Sequence, residues 1–181
     1  MVPIDQGVIT GIVFHRYEGS DAISLSPVGH QSNAGFATRM WNKVFGDDGG
    51  GLGYNVDSGS TQGVDVGAPA GTAVYAPADG QVVSITPYIL NGDATRYGQE
   101  IAISPSSDPS SVVKIAPIAL AVGPLGKPQL RVGQQVTGGR TKLGAVVDVT
   151  SASQPVLSRY VSDAGNGASI RVEPATAPAM P

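Results

Sequence analysis

Residues Gly63 to Ile85 read Gly-Val-Asp-Val-Gly-Ala-Pro-Ala-Gly-Thr-Ala-Val-Tyr-Ala-Pro-Ala-Asp-Gly-Gln-Val-Val-Ser-Ile. Two short β-type runs, 72–76 and 81–85, flank Pro77-Ala78-Asp79-Gly80. Proline restricts φ, and a glycine after aspartate readily takes the positive φ of a tight reversal, so this stretch predicts a central hairpin. Working outward, 99–104 alternates as a half-buried strand, and 112–115, 129–132, 142–149, 156–161 and 168–172 read as further strands. Upstream, 8–14 is β-branched, with Gly11 expected at a bulge or close backbone approach, and 23–25 is a candidate partner strand. Pro117 and the 123–128 cluster are expected to break any long strand. The fold predicted is mostly β: a small antiparallel β-sandwich or barrel with one short N-terminal helix.

Composition bounds the rest. The 181 residues suit one domain with an arm, and a hydrophobic content of 41% suffices for a core. With Gly 25 and Pro 14, turns and short strands are favoured over long helices. A net charge of −3, with no basic stripe, gives no reason to expect nucleic acid as a partner. Charged residues are only 14%, so solubility rests on Ser, Thr, Gln and Asn, a surface common in large assemblies and outside the cell. Cysteine is absent, which excludes disulfides and thiolate metal sites. No apolar run approaches a membrane span. Met1-Val-Pro-Ile-Asp-Gln-Gly lacks the features of a secretory leader, so the expectation is a trimmed chain or a destination reached without conventional secretion.

The one helix predicted is 34–45, capped by Ser32 or Asn33. Phe36, Met40 and Val44 recur every four residues, beside Ala37, Trp41 and Phe45. Such a stripe reads as core packing; if the helix stands free, Phe36, Met40 and Trp41 become the partner contact. The 47–53 run is acidic and glycine-rich, but lacks the interleaved ligands of a calcium loop and the Lys-Ser/Thr of a phosphate cradle, so it reads as a linker. His15 is placed at a strand end and His30 in a loop, both without a metal role. Residues 1–43 form an arm, 44–173 the β domain, and 174–181 an extended tail.

Taken together, several ordered motifs resemble the LytM-type (M23) zinc peptidases. The stretch at 63–85 is similar to that family's His-x-Gly-x-Asp, its Gly-Thr-Pro-Val-Tyr-Ala-like strand and its Ala-Asp-Gly turn. Val132-Gly-Gln-Gln-Val-Thr-Gly-Gly139 with Leu143-Gly-Ala-Val146 resembles a later "VGQxVxxGxxIGxVG" passage, and 166–172 resembles "PHLHFEV". The resemblance covers about 44–173 and implies a LytM-type β fold. It also implies which residues hold zinc: Asp65 stands at the family's aspartate, while Thr61, Gly167 and Ser169 stand where histidines are expected. The intermediate "YAHL" strand falls near 118–120, again without histidine. A catalytic zinc needs about three protein ligands plus water, and the bound ion is what makes that water a nucleophile. Asp65 alone cannot hold it.

The expectation is therefore a vestigial site at Thr61, Asp65, Gly167 and Ser169, with no catalytic residue, metal or cofactor. The functional expectation is a non-catalytic LytM-like structural or binding module of a phage virion, in the tail or tail tip. Its partners would be other subunits of the assembly, with peptidoglycan a further candidate and Arg171 near the groove. Two alternatives stand beside it: a degenerate LytM envelope protein that regulates a cell-wall amidase, and a metallopeptidase with a rearranged zinc site. An extracellular or envelope location follows if a leader has been removed. The Ala-Asp-Gly turn also resembles biotinyl and lipoyl carriers, but those place their lysine in the turn, whereas Lys142 lies in a predicted strand.

Overall fold

Strand signals of two-residue period, bounded by Gly and Pro, produce eleven strands among the described residues of the structure, a computed structural model. It describes residues 1–17, 21–27, 30–31, 53–57, 59–90, 97–152 and 154–175. The strands are β1 (Gly11–His15), β2 (His30–Gln31), β3 (Gly53–Val56), β4 (Gly63–Gly67), β5 (Ala73–Tyr75), β6 (Gly80–Pro87), β7 (Gln99–Pro105), β8 (Ser111–Leu120), β9 (Gln135–Val136), β10 (Lys142–Val146) and β11 (Gly167–Pro174). Short 3-10 turns occupy Gln6–Val8 and Val156–Arg159. The fold is mostly β, as composition and alternation predict. The strands run in the order β2-β3-β1-β4-β11-β8-β7-β6-β9, with β10 pairing β5 and β8. Pairing is antiparallel except for β1–β3 and β2–β3, which are parallel. Among the described residues no helix is long and apolar enough to cross a membrane.

The central hairpin does not form. β5 pairs β10, whereas β6 pairs β7 and β9. The Pro77–Gly80 turn is a corner at which the chain changes partner, and its polar groups are met from elsewhere. Ser106 N–H donates to the Asp79 carbonyl, and Gly138 N–H to Asp79 Oδ1 at 2.7 Å. Gly80 is needed for closeness to β7: a Cβ there would collide with the Ser104 carbonyl oxygen and come within 3.0 Å of Ile103 Cγ2.

Three further expectations change. β8 runs through Pro117 without breaking; up to Ala116 it pairs β11, and from Ile118 it pairs β10. A residue without N–H costs least where one ladder ends and another begins. The predicted strand at 156–161 is a 3-10 turn, in which Ser158 Oγ donates to the Pro155 carbonyl at 2.7 Å. His30, placed in a loop from sequence, belongs to β2. The 23–25 segment is extended without forming a named strand; Ile23 N–H reaches the Val172 carbonyl and Leu25 N–H that of Thr61. Residues 129–132 likewise form no strand.

The boundary drawn at 43/44 cuts a ladder, because β1 lies hydrogen-bonded along β4 from Gly11 to His15. At the other end, β11 extends to Pro174, and Ala175 N–H donates to the Ser110 carbonyl. The predicted helix with Phe36, Met40 and Trp41, most of the 47–53 loop and residues 176–181 lie outside the described residues.

Alternation along β4 and β11 divides two faces. Val66, Ile170, Val113, Ile115 and Ile101 are buried in the main core. The opposite face carries Asp65, Ser169 and Arg171, and that face builds the site.

Candidate functional site

Residues directly paired across an antiparallel ladder share one face of the sheet. β4 lies between β1 and β11, so Asp65 is flanked by Val13 and Ser169; one step along, Gly63 is flanked by His15 and Arg171. In the other direction Gly67 lies between Gly11 and Gly167. The register thus brings together two of the predicted site residues, Asp65 and Ser169, and adds His15 from β1. Thr61 does not line the cavity that results; its carbonyl accepts from Leu25 N–H at 2.8 Å.

His15, placed at a strand end and given no metal role on sequence grounds, does end β1, but its partner was not foreseen. Its Nε2 lies 3.0 Å from Asp65 Oδ1 and its Nδ1 3.0 Å from the Arg16 carbonyl. A carbonyl and a carboxylate only accept, so both contacts are hydrogen bonds together when the ring carries both protons. The side chains retain 14% and 15% exposure. Gly63 makes the arrangement possible, since a Cβ there would lie 2.5 Å from Tyr17 Cδ2 and 3.3 Å from His15 Cε1. The sequence signal available was the two-residue spacing of Val13, His15 and Tyr17, which predicts one face but not the strand that face meets.

Tyr17 follows β1 and fills the space over Gly63. Its ring centroid is 5.3 Å from that of His15, and Arg171 Cζ stands 4.8 Å above it. Its hydroxyl is 3.2 Å from Ser169 Oγ. Arg171 is held by Glu100 at 2.9 Å and Glu173 at 2.6 Å, and Lys114 reaches Glu173 at 2.6 Å. Alternation therefore sets Arg171 beside the site.

Behind these groups lies a cavity of about 160 Å³ lined by His15, Tyr17, Asp65, Tyr88, Leu157 and Ser169, among others. Gly167 borders it with no room for a side chain. A Cβ at that position would strike the Val66 carbonyl oxygen and lie 2.9 Å from Leu157 Cδ1. Leu157, on the 3-10 turn and 2% exposed, fills that space. Gly165, at φ 72°, lets the loop return close beside Ser158.

Burial disfavours the charged His15 ring, but the hydrogen bond and charge of Asp65 outweigh it, with the Arg16 carbonyl adding to them, so its pKa is raised above the ordinary 6.5. A raised value means the folded state holds the proton more tightly than the unfolded chain. The resulting stabilisation is fully present below about pH 6.5 and is lost as pH rises through the higher folded value. His15→Gln is therefore expected to cost about 1 kcal/mol at pH 5.5 and less at pH 8.5, measured by urea unfolding at both. An equal cost at the two pH values would contradict the charged pair.

Compared with known protein families, curated proteins and solved structures, the chain matches none.

The zinc implied by the LytM resemblance does not fit these residues. Asp65 and His15 supply two donor groups, each engaged with the other, and Gly167 and Ser169 supply no imidazole. Among the described residues no group of three His, Cys, Asp or Glu could hold a metal ion. The arrangement can hydrogen-bond and orient a bound group, but it lacks the ligand set that lowers the pKa of a water.

Proposed function

We propose that this chain is a non-catalytic LytM-like structural and binding module of a phage virion, in the tail or tail tip, with other subunits of the assembly as partners. The observation that carries the non-catalytic reading is Leu157 packed into the space that a side chain at position 167 would need, beside a carboxylate that, among the described residues, is hydrogen-bonded to an imidazole. Both leave a packed and hydrogen-bonded corner where the resemblance would put a metal. The low charge content and a surface reliant on Ser, Thr, Gln and Asn support a role within an assembly.

One observation favours a second reading, a peptidase with a rearranged zinc site: His15 reaches Asp65 from an unexpected strand. Two donors fall short of the usual three, so the first reading is preferred. Protein purified from zinc-supplemented medium is expected to carry far less than one equivalent of zinc and to leave peptidoglycan intact. Stoichiometric zinc, with turnover abolished by Asp65→Ala, would establish the second reading instead. Labelling of intact phage particles with an antibody to this chain tests the location; absence from every purified particle fraction would sink it.

A further inference from the structure

The cavity beside Asp65 has a size, a wall and a polar complement that together specify a ligand. Its volume of about 160 Å³ is close to the roughly 150 Å³ of an apolar cavity that accepts benzene. Drug-sized ligands occupy sites of roughly 300–1,000 Å³. The space therefore suits one six-membered ring. Tyr17, Tyr88, Pro117, Pro155 and Leu157 supply apolar walls. Aromatic faces carry negative charge density and favour contact with the weakly positive hydrogens of a C–H-rich ring face.

The polar groups are more numerous than a hydrocarbon or a simple phenol would satisfy. Asp65 binds His15 through Oδ1, and among the described residues its second oxygen has no hydrogen-bond partner. The Tyr88 hydroxyl has none either. Burial first, then the neighbouring Tyr17 and Asp65, push its pKa up to about 12, so it stays a neutral donor. The Tyr17 and Ser169 hydroxyls share one hydrogen bond at 3.2 Å, which leaves one of their two hydrogens unused. One acceptor and two donors thus converge on a ring-sized space, and each left unmet inside a bound complex would weaken it. The charges nearby are balanced: His15 against Asp65, and Arg171 with Lys114 against Glu100 and Glu173. Nothing here selects an anion or a cation.

We propose that this cavity binds a single neutral pyranose ring of a saccharide, with Asp65 accepting from one ring hydroxyl, Tyr88 and the Tyr17–Ser169 pair donating to others, and the apolar wall of Tyr88, Pro117, Pro155 and Leu157 packing against its C–H side. This rests on the reading of the site as a non-catalytic binding surface and gives that surface a ligand class.

The test is a two-dimensional amide NMR titration with the methyl pyranosides of glucose and galactose and with N-acetylglucosamine. p-Cresol, standing for a partner's tyrosine side chain, forms a separate arm. Expected are saturable shifts at residues 63–67, 88 and 167–171 for at least one sugar. Dissociation constants should be on the order of millimolar, as befits so small a ligand. Tyr88→Phe, which keeps the ring and removes only the donor, should weaken that binding roughly tenfold. Saturation by p-cresol alone would reassign the cavity to a protein side chain and overturn the proposal. So would the absence of shifts with every sugar, or sugar binding that Tyr88→Phe leaves unchanged. None of these outcomes bears on zinc content or peptidoglycan turnover, which judge the non-catalytic reading separately.

Discussion

Gly144→Val is expected to destabilise the fold by about 4 kcal/mol, at the upper end for a single substitution. Gly144 pairs Leu120 on β8 and Val74 on β5, so β10 is clamped between two neighbours. A Cβ there would run into the Ala119 carbonyl oxygen and lie 2.6 Å from Ile118 Cγ2. The first obstacle is backbone, which cannot rotate away as a side-chain tip would. Relief requires β8 and β10 to separate, and their flanking Leu143 and Val146 are 0% and 3% exposed. Separation would therefore open the core as well as the ladder. Urea unfolding at pH 7 measures the effect, with insoluble expression counting as its extreme. A loss below 1 kcal/mol would show that the β8–β10 approach is looser than described.

Arg171→Ala is expected to cost about 2–3 kcal/mol at pH 7. Its side chain is 12% exposed, and its guanidinium bridges Glu100 and Glu173 and covers the Tyr17 ring. Removing it leaves two carboxylates to share Lys114. The figure lies below the 3–5 kcal/mol of a fully buried pair because Glu100 and Glu173 keep 18% and 17% exposure. Lysine at 171 should recover only part of the loss, because it lacks the planar fork that reaches both acids. The pH dependence follows from Glu173. Burial would raise its pKa, but Lys114 and Arg171 overcome this and hold it below the ordinary carboxyl value. A depressed pKa gives stability that is present above the unfolded value, about 4.3, and lost as pH falls through the folded one. The deficit of Arg171→Ala should therefore shrink towards pH 3. A deficit that stays constant down to pH 3 would mean the arginine acts by packing rather than by charge.

The legible parts of this fold were those written in short-range alternation. Residues 99–104, 112–115 and 168–172 read as strands and lie within β7, β8 and β11. The corner at Pro77–Gly80 was legible as a reversal, yet not as a change of partner. Proline and glycine limit local angles, whereas the groups that answer Asp79 come from residues 106 and 138. The 156–161 segment misled because Val156, Leu157 and Val161 look like strand residues, while Pro155 and Ser158 close a 3-10 turn through local hydrogen bonds. Pro117 misled in the opposite sense, since its missing N–H falls at the place where β8 exchanges neighbours.

Of the candidate site, Asp65 and Ser169 were legible, and Thr61 was placed there without lining the cavity. His15 was present in the sequence but not interpretable from its surroundings, because its partner lies 50 positions away. Tyr88 was missed for the same reason. It belongs to the end of a strand run, and nothing local shows that the chain beyond β6 returns to face β4.

By itself the sequence determined a cysteine-free, glycine-rich β chain with only two histidines, both upstream of Asp65. Only the tertiary structure decided that His15 meets Asp65, that Leu157 fills the space beside Gly167, and that Tyr17 and Tyr88 line a small open cavity. The reason is physical: alternation tells each residue which side of its own strand it takes, but the order and register of β1, β4 and β11 arise from long-range hydrogen bonding that no local pattern encodes.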